Sequence, residues 1–192
     1  MMVGVDAQAP KQSSNEAVDT HHVGNIFIAG RTTAGSQATQ KVISSFTSKV
    51  GPGTTHATPM LVATDQEGGE VQQLTGEGFS TIPSGREQGA MDADELEQQA
   101  TAWGTELKRA GVNVNLAPTT DTVPSEIGRA NEPIGKWGRQ YGSTPQAASK
   151  GAVAFGQGMQ DAGVEPTVKH FPGLGRITGN TDLRDTGITD SV

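Results

Sequence analysis

The sequence has no cysteine, which excludes disulfides and thiolate metal sites and leaves the redox compartment open. Aromatic residues make up only 4%, so a core has to rest on Val, Ile, Leu, Ala and Met. Basic runs are missing too: 14 Lys and Arg stand against 21 Asp and Glu, for a formal charge of −7. That balance argues against nucleic acid and anionic membrane as partners. No apolar run approaches the ~18 residues of a membrane span. The start, M-M-V-G-V-D-A-Q, has neither the basic region nor the apolar stretch of a signal peptide, and the compartment stays open. Glycine, by contrast, is plentiful at 26 of 192 residues. Together with the apolar residues it brings the chain to the share usual for a globular domain.

Met2-Val3-Gly4-Val5 reads as a buried strand, followed by a polar, looped stretch as far as His21-His22. Neighbouring histidines without a spaced third ligand do not make a metal site. Val23 to Ala29 reads as a second strand, and Gln37 to Val50 as a helix stopped by Gly51-Pro52-Gly53. Pro59 to Thr64 is a short continuous apolar run, as in a strand buried on both faces, and it ends at Asp65. Asp92 to Ala110 is the clearest helix, with Leu96, Ala100, Trp103, Leu107 and Ala110 on one side and Asp92 with Glu95 as a capping box. Gly111 stops it, and Val112 to Ala117 is the next strand. The unit then recurs. Thr144-Pro145 opens a helix carrying Ala148, Ala152, Phe155, Met159 and Ala162, and Ala162-Gly163-Val164 repeats Ala110-Gly111-Val112 after 52 residues. Helix-glycine-strand units in series predict parallel strands with helical crossovers, an α/β fold. Periodicity does not choose between a closed barrel and an open doubly wound sheet.

In either architecture ligand groups come from the carboxyl ends of strands. Asp65, Asp121, Arg139 and the pair Lys169-His170 all fall at or just beyond such ends. A carboxylate with Lys, His and Arg supplies the acceptors and donors that sugar hydroxyls require. Glu67, between Gln66 and Gly68, reads as a hydrogen-bonding group internal to the fold. The run Gly173-x-Gly175-x-x-x-Gly179 lacks the spacing, the following helix and the later acidic residue of a dinucleotide-binding loop.

The segment Lys169-His170-Phe171-Pro172-Gly173-Leu174-Gly175, with Thr181-Asp182 beyond it, resembles the central motif of glycoside hydrolase family 3, in particular the bacterial β-N-acetylglucosaminidases. Three further blocks resemble that family in the same order: Asp65-Gln66-Glu67-Gly68-Gly69-Glu70-Val71-Gln72-Gln73-Leu74, Asn113-Val114-Asn115-Leu116-Ala117-Pro118, and Arg139-Gln140-Tyr141-Gly142. The resemblance implies a (β/α)8 TIM-type barrel, present here as an incomplete barrel because a full one needs ~250 residues. It implies a single barrel domain over residues 1–192, truncated at both ends. It also implies a retaining, cofactor-free hydrolase that removes terminal β-linked N-acetylglucosamine in cell-wall turnover. Asp65, Arg139, Lys169 and His170 match the substrate-holding positions, and Gly68-Gly69 would let the backbone pass close to the sugar. The family's nucleophile is an aspartate on a later strand, expected beyond Val192. Its acid/base is a histidine in a mobile loop, and Asp182 occupies that position here, which makes Asp182 the candidate general acid/base. Glu70, Gln73 and Leu174 depart from the family pattern, and a substrate contact at Gln73 is weakened. The alternative is a non-catalytic, truncated barrel that at most binds sugar; oligomeric state is left open.

Overall fold

The computed structural model describes residues 1–183. Strand β1 (Met2–Asp6) is followed by helix α1 (Gln12–Asp19), β2 (Asn25–Ala29), α2 (Gly35–Thr47) and β3 (Val62–Thr64). A small hairpin of β4 (Gln66–Gly68) and β5 (Val71–Gln72) comes next, then the short helix α3 (Gly85–Gln88) and the long helix α4 (Ala93–Arg109). Strand β6 (Val114–Asn115), two 3₁₀ turns (Gly128–Ala130 and Gly135–Trp137), helix α5 (Pro145–Asp161) and β7 (Glu165–Pro166) complete the order.

The main sheet runs β1-β2-β3-β6-β7, and every pair in it is parallel. Each strand lies beside the next one of that sheet in the sequence. A doubly wound sheet reverses its strand order at a switch point, and no reversal occurs here. Winding in one direction with right-handed crossovers stacks the helices on one face of a curving sheet. The result is an incomplete (β/α)8-type barrel: the five strands do not close on themselves.

Long helices α4 and α5 form the densest helical layer. Leu96, Ala100, Trp103 and Leu107 of α4 are buried with Phe155 and Met159 of α5, as their spacing predicts, and Ala154 joins them from outside that spacing. Glycines set how closely the two helices approach. A Cβ on Gly158 would stand 2.3 Å from the Glu97 carbonyl oxygen and 2.7 Å from the Ala100 Cβ. Gly158→Ala is therefore expected to destabilise the fold by roughly 1–3 kcal/mol through overpacking, seen as a lower urea midpoint with an unchanged m-value. An unaltered midpoint would mean that the helices slide apart at no cost.

Three sequence expectations need correction. The stretch before His21-His22 is not a loop throughout, because residues Gln12–Asp19 form α1. Only Ser14 and Val18 of it are buried, and the Ser14 hydroxyl donates to the Gly4 carbonyl at 2.8 Å. Such a helix is held by docking onto β1 and leaves almost no apolar period to read. Strand β1 forms, but it is a sheet edge: Val5 is fully buried while Met2 is exposed. Finally, Asp92 caps α4 through the Asp94 amide rather than in a box with Glu95. The reciprocal capping box sits at Ser84 and Glu87, at the start of α3.

Candidate functional site

Asp65 follows β3 directly, and its neighbours are immobilised by side-chain amides. Asn113 accepts from the Val62 amide at 2.7 Å and donates to the Met60 carbonyl at 2.9 Å. Asn115 does the same on the other side of Asp65, accepting from the Gln66 amide and donating to the Gln66 carbonyl, both at 3.0 Å. The N-x-N pattern thus fixes the backbone on which Asp65 stands. Gln66 in turn holds Leu74 through both its amide groups, and Gln88 holds the Glu67 carbonyl.

The glycines of this segment serve the same purpose. A Cβ on Gly68 (φ 106°) would lie 2.2 Å from the Pro83 carbonyl oxygen, and one on Gly69 would lie 3.0 Å from Ser84. Their close approach is to the protein's own backbone. That packing accounts for the glycines by itself, because a side chain at either position would collide with Pro83 or Ser84.

Lys169 and His170 follow β7, where Lys169 bridges to Thr119 in parallel register. A cis peptide joins the two residues. Lys169 donates to Asp65 Oδ1 at 2.6 Å and contacts Glu67 Oε1 at 2.6 Å. Arg139 grips Glu67 with two parallel bonds, Nε to Oε2 at 2.8 Å and Nη2 to Oε1 at 2.7 Å. Its Nη1 donates to the Pro133 carbonyl at 2.8 Å. His170 Nδ1 lies 2.6 Å from Asp121 Oδ2, and its Nε2 lies 3.5 Å from Arg139 Nη2. Since Arg can only donate and Asp121 as a carboxylate only accepts, the partners assign the proton to Nδ1 and the lone pair to Nε2.

All four substrate-holding residues expected from the sequence, Asp65, Arg139, Lys169 and His170, come together with Asp182 around one open cleft of about 630 Å³. Asp182 is exposed at its rim, with its amide donating to Asn180 Oδ1 at 2.9 Å. Leu174 and Glu70 also line the cleft. Gln73 does not line it, and its backbone pairs with Thr32 and Asp65.

Electrostatically the site is a balanced network. Burial would push the Glu67 carboxyl up, but the bonds and charges of Arg139 and Lys169 outweigh it and hold the carboxyl below its ordinary value. Asp121 behaves alike: burial raises it, while His170 and the Leu174 amide lower it further than burial lifts it. Burial would lower Arg139, and Glu67 more than restores it. Tyr141, behind the site, is raised well above the ordinary phenol value, first by burial and then by the Glu67 charge. Three carboxylates facing Lys, Arg and an imidazole leave acceptors and donors side by side. Among the described residues Asp65 Oδ2 has no partner, and Lys169 has a third N–H to offer. Such a set suits the hydroxyls of a neutral polyol better than a strongly charged ligand.

Three residues matter more than the sequence indicated. Glu67 is internal to the fold, as expected, yet it is the hub that orients both Lys169 and Arg139. Asn131, fully buried, accepts from the Ile134 and Gly135 amides and donates to the Leu174 and Ile177 carbonyls, each bond at 2.7–2.9 Å. Glu132 accepts from the Asn180 amide at 3.2 Å. Together Asn131 and Glu132 tie the loop that carries Asp182 to the turn before Arg139. A buried Asn between loops gives no periodic signal, so only the fold reveals it. His21 and His22 join no metal-ligating cluster among the described residues.

The family model for the glycosyl hydrolase family 3 N-terminal domain matches residues 1–190. The chain belongs to this family. Its fold superposes on a β-N-acetylhexosaminidase from Beutenbergia cavernae with a TM-score of 0.92 and 49% identity, over 95% of this chain and 54% of that one. The β-hexosaminidase LpqI of Mycobacterium tuberculosis is 32% identical over 98% of this chain and 45% of its own. A β-hexosaminidase of Stenotrophomonas maltophilia is 34% identical over 68% of this chain and 38% of its own. This family 3 chain therefore spans about half or less of the length of the relatives it matches. No helix among its described residues is long and apolar enough to cross a membrane.

Proposed function

We propose that this chain, as one barrel domain, forms the sugar-holding half of a β-N-acetylglucosaminidase site. In this reading Asp65, Lys169, Arg139 and His170 bind the hydroxyls of a terminal N-acetylglucosamine, and Asp182 serves as general acid/base. The carrying observation is the convergence of those four side chains, two of them locked onto buried Glu67, in the cleft that Asp182 also lines. Retention would follow from a nucleophile paired with that acid across the glycosidic bond. Peptidoglycan fragments are the proposed source of substrate, a reading that rests on the family resemblance. The matched relatives' names support the sugar class.

Thermal unfolding of the 192-residue chain with millimolar N-acetylglucosamine tests the binding half. A ligand that binds only the folded state stabilises it by RT ln(1 + [L]/Kd), so a tenfold excess over Kd should raise the midpoint by about 3–5 °C. Lys169→Ala and Asp65→Ala are expected to abolish the rise. A cooperative transition in wild type that the sugar leaves unmoved would sink the reading.

A further inference from the structure

Two cations of the cleft are already committed to carboxylates. Lys169 serves Asp65 and Glu67, and Arg139 serves Glu67. Arg31 lines the same cleft and differs from both. Among the described residues it forms no ion pair, and only its Nη2 is engaged, donating to the Glu70 carbonyl. A guanidinium carries N–H donors on all three nitrogens in a fixed fork, so most of this one is left for a ligand. Its backbone is held firmly. Gln8 Nε2 donates to the Arg31 carbonyl at 3.0 Å. The next residue, Thr32, is buried; its amide donates to the Gln73 carbonyl at 2.9 Å and its carbonyl accepts from the Thr75 amide at 3.0 Å. Gln73, where the sequence weakens a substrate contact, does not line the cleft, whereas Arg31, laced to it through Thr32, does.

Arg31 also neighbours Asp65. Strands β2 and β3 pair in parallel, and the Thr64 hydroxyl still reaches the Ile28 carbonyl at 3.3 Å. Arg31 therefore lies just beyond the carboxyl end of β2 as Asp65 lies just beyond that of β3, on strands about 4.8 Å apart. Asp65 Oδ2 is an acceptor with no partner among the described residues, and Arg31 has donors to spare. A hydroxyl both donates and accepts, so a single hydroxyl satisfies the two together.

We propose that Arg31 is a specificity-determining residue of the cleft, donating from the end of β2 to a sugar hydroxyl that in turn donates to Asp65 Oδ2. This inference rests on the sugar-binding reading of the floor.

Calorimetric titration of the 192-residue chain with N-acetylglucosamine and with its monodeoxy analogues, each lacking one hydroxyl, tests it. Arg31→Ala is expected to weaken N-acetylglucosamine about tenfold, the scale of a hydrogen bond from a charged donor. The analogue lacking the bridging hydroxyl should bind wild type at least that much more weakly, and Arg31→Ala should then change its affinity by less than about twofold, because the two changes remove one interaction. Arg31→Gln serves in the same cycle if Arg31→Ala lowers the urea midpoint. Unchanged N-acetylglucosamine affinity in Arg31→Ala, with Lys169→Ala still abolishing binding, would overturn the role of Arg31 and leave the floor reading intact. Losses that add for every analogue would also overturn it, since Arg31 would then act through the fold and not through a hydroxyl. If wild type binds no sugar, both readings fall.

Discussion

Replacing Arg139 by methionine is expected to lower the unfolding free energy by roughly 3–5 kcal/mol, the cost of leaving a buried carboxylate without its main partner. Glu67 is only 6% exposed, and Arg139 supplies both of its in-plane hydrogen bonds. Methionine keeps much of the volume, so the loss would come from charge and not from a cavity. The companion variant Glu67→Gln should cost less, because a neutral amide needs less solvation. In Arg139→Met/Glu67→Gln part of the loss should return, giving a coupling energy well above that of a surface pair. Additive losses would mean that the two residues stabilise the fold independently.

The same pair sets a pH dependence. The folded-state Glu67 carboxyl lies below its ordinary value of 4.5. The unfolded chain therefore binds protons first as pH falls, and the stabilisation is complete above about 4.5 and is lost on descending through the folded value. Asp121, lowered from 3.8, acts in the same direction at lower pH. Urea titrations between pH 6 and 3 should show stability falling, with a shallower fall in Glu67→Gln. An equal slope in that variant would assign the acid sensitivity elsewhere.

Asp182→Ala is expected to reduce turnover of an N-acetylglucosaminyl disaccharide by about 10²–10⁴-fold, the range for losing a positioned general acid. An aryl glycoside whose leaving group departs without a proton should lose much less in the glycosylation step. That contrast separates an acid from a residue that merely shapes the cleft, which would depress both substrates alike. The proposal draws on position: Asp182 is exposed at the rim of the cleft whose floor holds Lys169 and His170, on a loop anchored by Glu132 and Asn131. Normal turnover of the disaccharide would remove Asp182 from the chemistry and direct the search to another group.

Much of this molecule was legible without coordinates. The 4-3-4-3 spacing of Leu96, Ala100, Trp103 and Leu107 states which face of α4 is buried, because a helix repeats every 3.6 residues wherever it packs. Thr144 followed by Pro145 marks a helix start, and the Thr144 side chain does accept from the Ala147 amide. The recurring helix-glycine-strand unit dictates parallel strands. Each of these is a local rule, carried by residues close together in the chain.

What the tertiary structure alone decided involves partners far apart in sequence. Strand order without reversal, which separates a barrel-type winding from a doubly wound sheet, is a property of five strands at once. Helix α1 exists because Ser14 bonds to Gly4 of β1 and Val18 is buried in the core, not because its own residues favour it. Lys169 meets Asp65 across 104 positions, and Arg139 meets Glu67 across 72. Sequence motifs named Asp65, Arg139, Lys169 and His170 one by one. That Glu67 joins Lys169 to Arg139, that Asp121 orients His170, and that Gly68 packs on Pro83 follow only from burial. Burial leaves each of these groups a single set of neighbours with which to satisfy its charge, its hydrogen bonds or its space.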